Sequence, residues 1–339
     1  MRLRLLSRRS CGLQLGQQPR FSSSSGSEGS VGFIGLGNMG ASMAENLIKS
    51  AGPGESIVLH DVVAANVKRL LDKFSSSSSK VCKVRAAKSV ADLAASCSVI
   101  ITMVPNTQHV KSLMEDDGIF RHAPNGALVI DCSTIDPITS RELSAQALQL
   151  PSQLVMMDAP VSGGVTGAAA ATLTFMCGGS PAALSRASAV LSRMGKKVVH
   201  CGDAGSGGIA KLCNNLALAI SMAGTAEAMN LGIKMGMDGK KLAEVMNSST
   251  ARCWSSDSYN PVPGILPNTP ASRDYEGGFA SQLMLKDLDL ALGAGIKGGL
   301  TVPKTMPMGT QAKQVYESVV ASGRGGKDFG SVYDYFSHS

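Results

Sequence analysis

The sequence predicts an α/β fold: a doubly wound, mostly parallel sheet in the first part of the chain, followed by an all-α part. Three observations carry this. From Ser30 to about residue 200, short apolar runs alternate with stretches of helical periodicity, the rhythm of βαβ units. A glycine motif, Gly35-Leu36-Gly37-Asn38-Met39-Gly40, lies between the first apolar run and the first helical stretch. After Gly202 the strand pattern fades and helical stretches take over.

Taken in order, residues 31–34 read as the first strand and 39–50 as the helix it feeds. Residues 57–60 make a second strand that ends at Asp61, and 99–104 and 127–130 make two more. Continuous Val- and Ile-rich runs of this kind suit strands covered on both faces. Further strands are read at 155–158, 172–176 and 197–200. The serine tract at 75–79 belongs in a surface loop after the second helix. Residues 209–235 form one long helix, rich in Ala, Leu and Met with few charges, expected to be buried on most sides against its own domain and a partner subunit. Helices near 239–246, 281–294 and 305–321 complete the chain. The domains are therefore expected at 29–202 and 203–339, after a leader at 1–28.

At 339 residues the chain has room for two domains, and 44% hydrophobic with 17% charged residues is a globular composition. No run of eighteen apolar residues occurs, so no membrane span is expected. The net charge of +7 is uneven: five arginines and one acid put +4 on residues 1–28, leaving +3 for the rest. With 4% aromatic residues, this gives little support for a nucleic-acid surface. Residues 1–28 are arginine-rich, lysine-free and serine-rich near their end, with leucines among the arginines, and read as a mitochondrial transit peptide. Eight cysteines form no CxxC pair and five histidines no HxxxH pattern, so no metal is expected.

The glycine motif follows a strand and opens a helix, the context a dinucleotide site requires. Gly35 permits the tight turn, Gly37 lets a pyrophosphate approach the backbone, and Gly40 lets helix and strand pack closely. The helix start at Asn38 and Met39 supplies amide donors, with Leu36 in the turn between. Asp61 lies twenty-one residues after Gly40, where a carboxylate can accept hydrogen bonds from ribose hydroxyls and repel a 2′-phosphate. NAD is therefore expected over NADP. Lys68 and Arg69 read as too far along the next helix to clamp a phosphate. Val104 and Pro105, at the end of the run at 99–104, and Ser133 and Thr134, after the run at 127–130, fall at C-terminal strand ends, where ligands of open α/β sheets gather.

The segment Gly205-Ser206-Gly207-Gly208-Ile209-Ala210-Lys211-Leu212-Cys213-Asn214-Asn215 opens the long helix and puts Lys211 and Asn215 four residues apart, on one face. An amine beside a neutral amide can have a lowered pKa and act in proton transfer. With the glycine motif, this suggests a nicotinamide-dependent alcohol dehydrogenase whose acid/base is a lysine. Ser162, Gly163 and Gly164, following Asp158-Ala159-Pro160-Val161, make a turn whose amides and hydroxyl can receive a carboxylate. Lys286, in Leu285-Lys286-Asp287-Leu288, could reach cofactor or substrate.

These motifs, from Ser30 to about Tyr335, resemble the β-hydroxyacid dehydrogenases. Asn260-Pro261-Val262-Pro263-Gly264, with Tyr275-Glu276-Gly277-Gly278-Phe279 after it, is similar to the substrate-side segment of the 3-hydroxyisobutyrate branch. The resemblance implies a Rossmann domain followed by an all-helical one, with the active site between them. It implies NAD-dependent oxidation of a small β-hydroxyacid in the mitochondrial matrix, by a dimer or tetramer. Carried over, Lys211 is the catalytic lysine, Asn215 orients substrate, and Ser162, Gly163 and Gly164 bind its carboxylate. Gly35, Leu36, Gly37, Asn38, Met39, Gly40, Asp61, Val104, Pro105, Thr134 and Lys286 then fall to the cofactor. Two alternatives stay open: an NADPH-dependent glyoxylate or succinic semialdehyde reductase of the same superfamily, and a dinucleotide-binding module without catalysis.

Overall fold

The computed structural model describes residues 30–75 and 82–338. The expected transit peptide and all but the first residue of the serine tract lie outside them. Nine strands form one sheet: β1 (Ser30–Ile34), β2 (Ser56–His60), β3 (Lys83–Ala86), β4 (Val99–Thr102), β5 (Leu128–Asp131), β6 (Val155–Asp158), β7 (Val161–Ser162), β8 (Leu173–Gly178) and β9 (Gly195–Gly202). Between them run α1 (Gly40–Lys49), α2 (Ala64–Ser75), α3 (Val90–Ser96), α4 (Thr107–Met114), α5 (Ile119–His122), α6 (Pro137–Gln149), α7 (Gly164–Ala169) and α8 (Pro181–Leu191). The all-helical part comprises α9 (Ser206–Lys234), α10 (Gly239–Ser248), α11 (Trp254–Asp257), α12 (Ser281–Lys297), α13 (Pro307–Val319) and α14 (Val332–His338), with short 3₁₀ and π turns.

The strand order is β3-β2-β1-β4-β5-β6-β8-β7, with β9 on the free side of β8. The six strands from β3 to β6 are parallel, whereas β8 runs antiparallel to β6 and β7. The order reverses between β1 and β4, so the loops after these strands border the crevice where such sheets bind ligands. Alternate residues serve opposite faces: Phe33, Ile57 and Leu59 join one apolar cluster, Ile34, Val58, Ile100 and Val129 the other. A third cluster, with Met222, Met229, Met284, Leu288 and Tyr316, is drawn wholly from the helical part.

Three readings of the sequence need correction. The edge strand β3 went unread: Lys83-Val84-Arg85-Ala86 is half exposed and contains no apolar run. So did the two-residue β7, which makes Ser162 the end of a strand rather than part of a free turn. Helix α9 is not buried on most sides within the chain. Its buried residues, among them Lys211, Leu212, Asn215, Ala219, Met222, Ala226 and Met229, form one stripe of helical period. Ile209 and Leu231 face outward. By length and composition α9 is apolar enough to cross a membrane, and here its stripe packs against α12, α13, α14 and β8.

Candidate active site

Side-chain caps start α3 (Ser89), α4 (Asn106), α6 (Asp136), α8 (Ser180) and α10 (Asp238). The two helices that open at the crevice, α1 and α9, have no such cap of their own. Their first amides are left for something else.

At α9 that something is Asp158, at the end of β6. Its carboxylate accepts the amides of Gly205 at 2.6 Å and Gly208 at 2.7 Å, and is almost fully buried. Burial pushes its pKa up, and the glycine amides oppose the rise. Gly205 has φ +83°, and a side chain at Gly207 would land on the backbone oxygen of Met176. The glycines of this segment thus let α9 begin directly against the sheet.

At α1 the three glycines differ as a dinucleotide seat demands. Gly35 has φ +93°, and a Cβ there would strike the backbone of Met103. A Cβ at Gly40 would strike the Gly35 oxygen. A Cβ at Gly37 would meet nothing within 4 Å, leaving space for a ligand against the helix start. Asp61 braces this loop: its Oδ2 accepts the Leu36 amide at 2.5 Å, and its Oδ1 accepts the Val63 amide at 2.7 Å. Asn66 adds a longer bond at 3.3 Å. A carboxylate offers about four acceptor positions, so one remains for a ribose hydroxyl. Beyond it, Val62 and Val63 are exposed and uncharged. Lys68 pairs with Asp72, but Arg69 is not remote as expected. With Lys73 it lines a cleft shared with Gly37, Asn38 and Ser42. One helical turn of α2 brings it back toward the loop.

The second half of the site hangs from the loops after β4 and β5. Lys286, on α12, donates to the backbone oxygens of Thr134 at 3.0 Å and Pro105 at 3.3 Å. The Val104 amide donates to Ser133 Oγ at 2.9 Å, tying the two loops together. Beneath them Asp131 is wholly buried: its Oδ1 accepts the Thr102 hydroxyl at 2.8 Å and the Ser133 amide at 3.1 Å. Its Oδ2 has no hydrogen-bond partner among the described residues. Burial raises the Asp131 pKa to about 6, with the neighbouring Asp158 charge adding to the rise.

Lys211 and Asn215 lie on the buried stripe of α9, where α12 packs against it. Asn215 donates to Asp287 Oδ2 at 2.5 Å and accepts from Asn214 at 3.0 Å. Burial holds the Lys211 amine below the ordinary lysine range; the Asp287 carboxylate opposes this and the Lys286 charge reinforces it. Lys211, Asn215, Lys286, Pro105 and Thr134 are thereby brought into one cluster. Ser162, Gly163 and Gly164 make no hydrogen bond to this cluster among the described residues. Ser162 pairs with Thr174 of β8, and Gly163 (φ +133°) and Gly164 (φ +61°) turn the chain into α7. Their link to the lysine runs through Asp158, four residues upstream. Among the described residues no three His, Cys, Asp or Glu side chains are grouped to hold a metal.

Sequence reasoning missed the parts played by Asp131, Ser133, Asp158 and Asp287. Asp287 carried a signal: it shares its helix face with the buried Met284, Leu288 and Ala291. A charged residue at a core position is the informative exception.

Residues 30–202 match the model described as the NAD binding domain of 6-phosphogluconate dehydrogenase. Residues 205–336 match that described as NAD-binding of NADP-dependent 3-hydroxyisobutyrate dehydrogenase. The chain belongs to the 3-hydroxyisobutyrate dehydrogenase family. It is 46% identical to the mitochondrial 3-hydroxyisobutyrate dehydrogenase of Rattus norvegicus, over 90% of this chain and 86% of that one. It is 43% identical to the NAD-dependent L-serine dehydrogenase of Pseudomonas aeruginosa, over 90% and 97%. The solved structure of Mycobacterium tuberculosis 3-hydroxyisobutyrate dehydrogenase with L-serine superposes with a TM-score of 0.81 at 36% identity, covering 91% of this chain and 99% of that one. Membership of this family makes the chain an NAD-binding oxidoreductase of the hydroxyacid dehydrogenase class, with the Rossmann and all-helical architecture read from its sequence.

Proposed function

We propose that this enzyme oxidises 3-hydroxyisobutyrate to methylmalonate semialdehyde with NAD, a step of valine catabolism, in the mitochondrial matrix. Residues 29–202 would hold the cofactor, and 203–339 would supply the catalytic lysine and the contacts of a homodimer or tetramer. The observation that carries the reading is the buried cluster in which Lys211 and Asn215 of α9 meet Lys286, itself bound to the loops after β4 and β5.

Gly35, Leu36, Gly37, Asn38, Met39, Gly40, Asp61, Val104, Pro105, Thr134 and Lys286 would hold NAD, and the open space at Gly37 fits a pyrophosphate. The bound nicotinamide supplies a hydride acceptor. The protein's own part is positional and protonic. Ser162, Gly163 and Gly164 receive the substrate carboxylate on the turn before α7. Asn215 orients the C3 hydroxyl toward Lys211, and the lysine, as the free amine, takes the hydroxyl proton. In the reverse direction its ammonium returns a proton to the carbonyl oxygen. Burial favours the amine form needed for oxidation.

NAD rather than NADP is supported by Asp61, whose carboxylate would repel a 2′-phosphate, and by the uncharged Val62 and Val63 beside it. The matrix location is supported by the arginine-rich, acid-poor character of residues 1–28 and by a mitochondrial relative. A second substrate, L-serine, is favoured by the Pseudomonas relative and by the ligand of the Mycobacterium structure. It too is a 3-hydroxyacid, with an ammonium where 3-hydroxyisobutyrate has a methyl. Lys286, a cation at the same cleft, disfavours that ammonium. Steady-state kcat/KM of the purified enzyme should be highest with 3-hydroxyisobutyrate and NAD, lower with L-serine, and least with glyoxylate and NADPH. A preference for the last pair would overturn the reading.

A further inference from the structure

Resting on Lys211 as the acid/base, we infer that Asp287 is the positioning residue of the proton-transfer pair, orienting the Asn215 amide and placing a negative charge on the α12 side of the Lys211 site. The side chain is 3% exposed, at the α9–α12 contact. A carboxylate in such a place is costly unless other groups use it.

Two groups do. Asp287 Oδ2 accepts from Asn215 Nδ2 at 2.5 Å. Because an ionised carboxylate only accepts, this bond fixes which way the amide lies: its nitrogen faces α12, and its oxygen lies toward Asn214. The second group is charge. Lys286 Nζ lies 3.2 Å from Asp287 Oδ1 but directs its hydrogen bonds to Pro105 and Thr134. Oδ1 therefore has a cation beside it and no hydrogen-bond donor among the described residues. The charged groups acting on Lys211 are Asp287 and Lys286, both from α12. Without Asp287 the cluster would hold two lysines and no acid, and the ammonium of Lys211 would be disfavoured. The residue thus sets a compromise. It fixes the amide through a hydrogen bond, and its charge raises the pH at which the lysine becomes a base.

The variants Asp287→Asn and Asp287→Ala separate these duties. The asparagine can still accept from Asn215 but carries no charge. For Asp287→Asn the acid limb of kcat for oxidation should move down by about one pH unit, since an adjacent opposite charge shifts a pKa by ~1–3. The plateau should fall by ~10-fold or less. For Asp287→Ala the plateau should fall by ~10²-fold, because the amide loses its partner. An activity-free readout is the rate at which acetic anhydride labels Lys211 as a function of pH, followed by peptide mass spectrometry without cofactor. Its midpoint should move down in both variants, and a misfolded variant would label at the rate of an exposed lysine. An unmoved limb and an unmoved labelling midpoint in Asp287→Asn would overturn the inference. Full turnover in Lys211→Ala would instead overturn the proposed function, so the two failures are distinguishable.

Discussion

Replacing Asp131 by asparagine should make the enzyme more stable at neutral pH. This carboxylate is wholly buried, accepts two bonds on Oδ1, and leaves Oδ2 without a hydrogen-bond partner among the described residues, with a second buried acid, Asp158, nearby. Burial lifts its pKa from 3.8 to about 6. In the unfolded chain the group loses its proton near pH 4; in the folded protein it keeps the proton until about pH 6. Between these values the native state binds more protons than the unfolded one, so stability falls as pH rises. Each pH unit is worth about 1.4 kcal/mol, which puts the loss at about 3 kcal/mol once the pH exceeds 6. Asparagine has nearly the same shape, keeps an oxygen for the Thr102 hydroxyl and the Ser133 amide, and never ionises. The assay is thermal unfolding of both proteins from pH 4.5 to pH 8. The wild type should lose ground to Asp131→Asn across the acid range, and the gap in Tm should level off at several degrees above pH 7. Parallel curves, or an Asn variant less stable at pH 7.5, would refute this account of the buried acid.

Other outcomes follow from the same geometry. Lys211→Ala should retain NAD binding by calorimetry while turnover falls by ~10²–10⁴-fold, and wild-type oxidation should rise with pH through a midpoint below the ordinary lysine value. Gly37→Ala should fold normally yet bind NAD at least ~10-fold more weakly, its methyl standing where the open space is. Gly40→Ala should be destabilised, because its Cβ collides with the Gly35 oxygen; thermal melts and NAD titrations of the two separate these effects. Asp61→Ser should narrow the NAD over NADP preference in kcat/KM by ~10-fold or more and lower Tm slightly, since the Leu36 amide loses its acceptor.

The central sheet was legible because its strands are continuous apolar runs, and the glycine motif was legible because its spacing is chemical. What escaped had weak local signals. β3 is an edge strand with Lys83 and Arg85 in it, and β7 is two residues long. The four-residue α11 and the tyrosine-rich α14 form because Trp254 stacks on Tyr259 and Tyr333 packs into the helical core. Neither contact has a periodicity to read. For α9 the composition is apolar all round, so nothing local said which stripe turns inward. At the site, Lys211, Asn215 and Lys286 could be named from motifs. The acids that arrange them could not, because Asp158 and Asp287 act on partners 47 to 72 residues away, and Asp131 on Thr102 of a neighbouring strand as well as on Ser133.

The grip of Asp158 on the first amides of α9 also makes that helix a lever with its fulcrum at one end. At 1.5 Å per residue the helix is about 43 Å long, and Lys211 sits only about 8 Å from the gripped end. A tilt of about 5° around that point would swing the far end by nearly 4 Å but shift the amine by well under 1 Å. Any tilt about the gripped end would therefore displace Lys211 several-fold less than the far end of the helix.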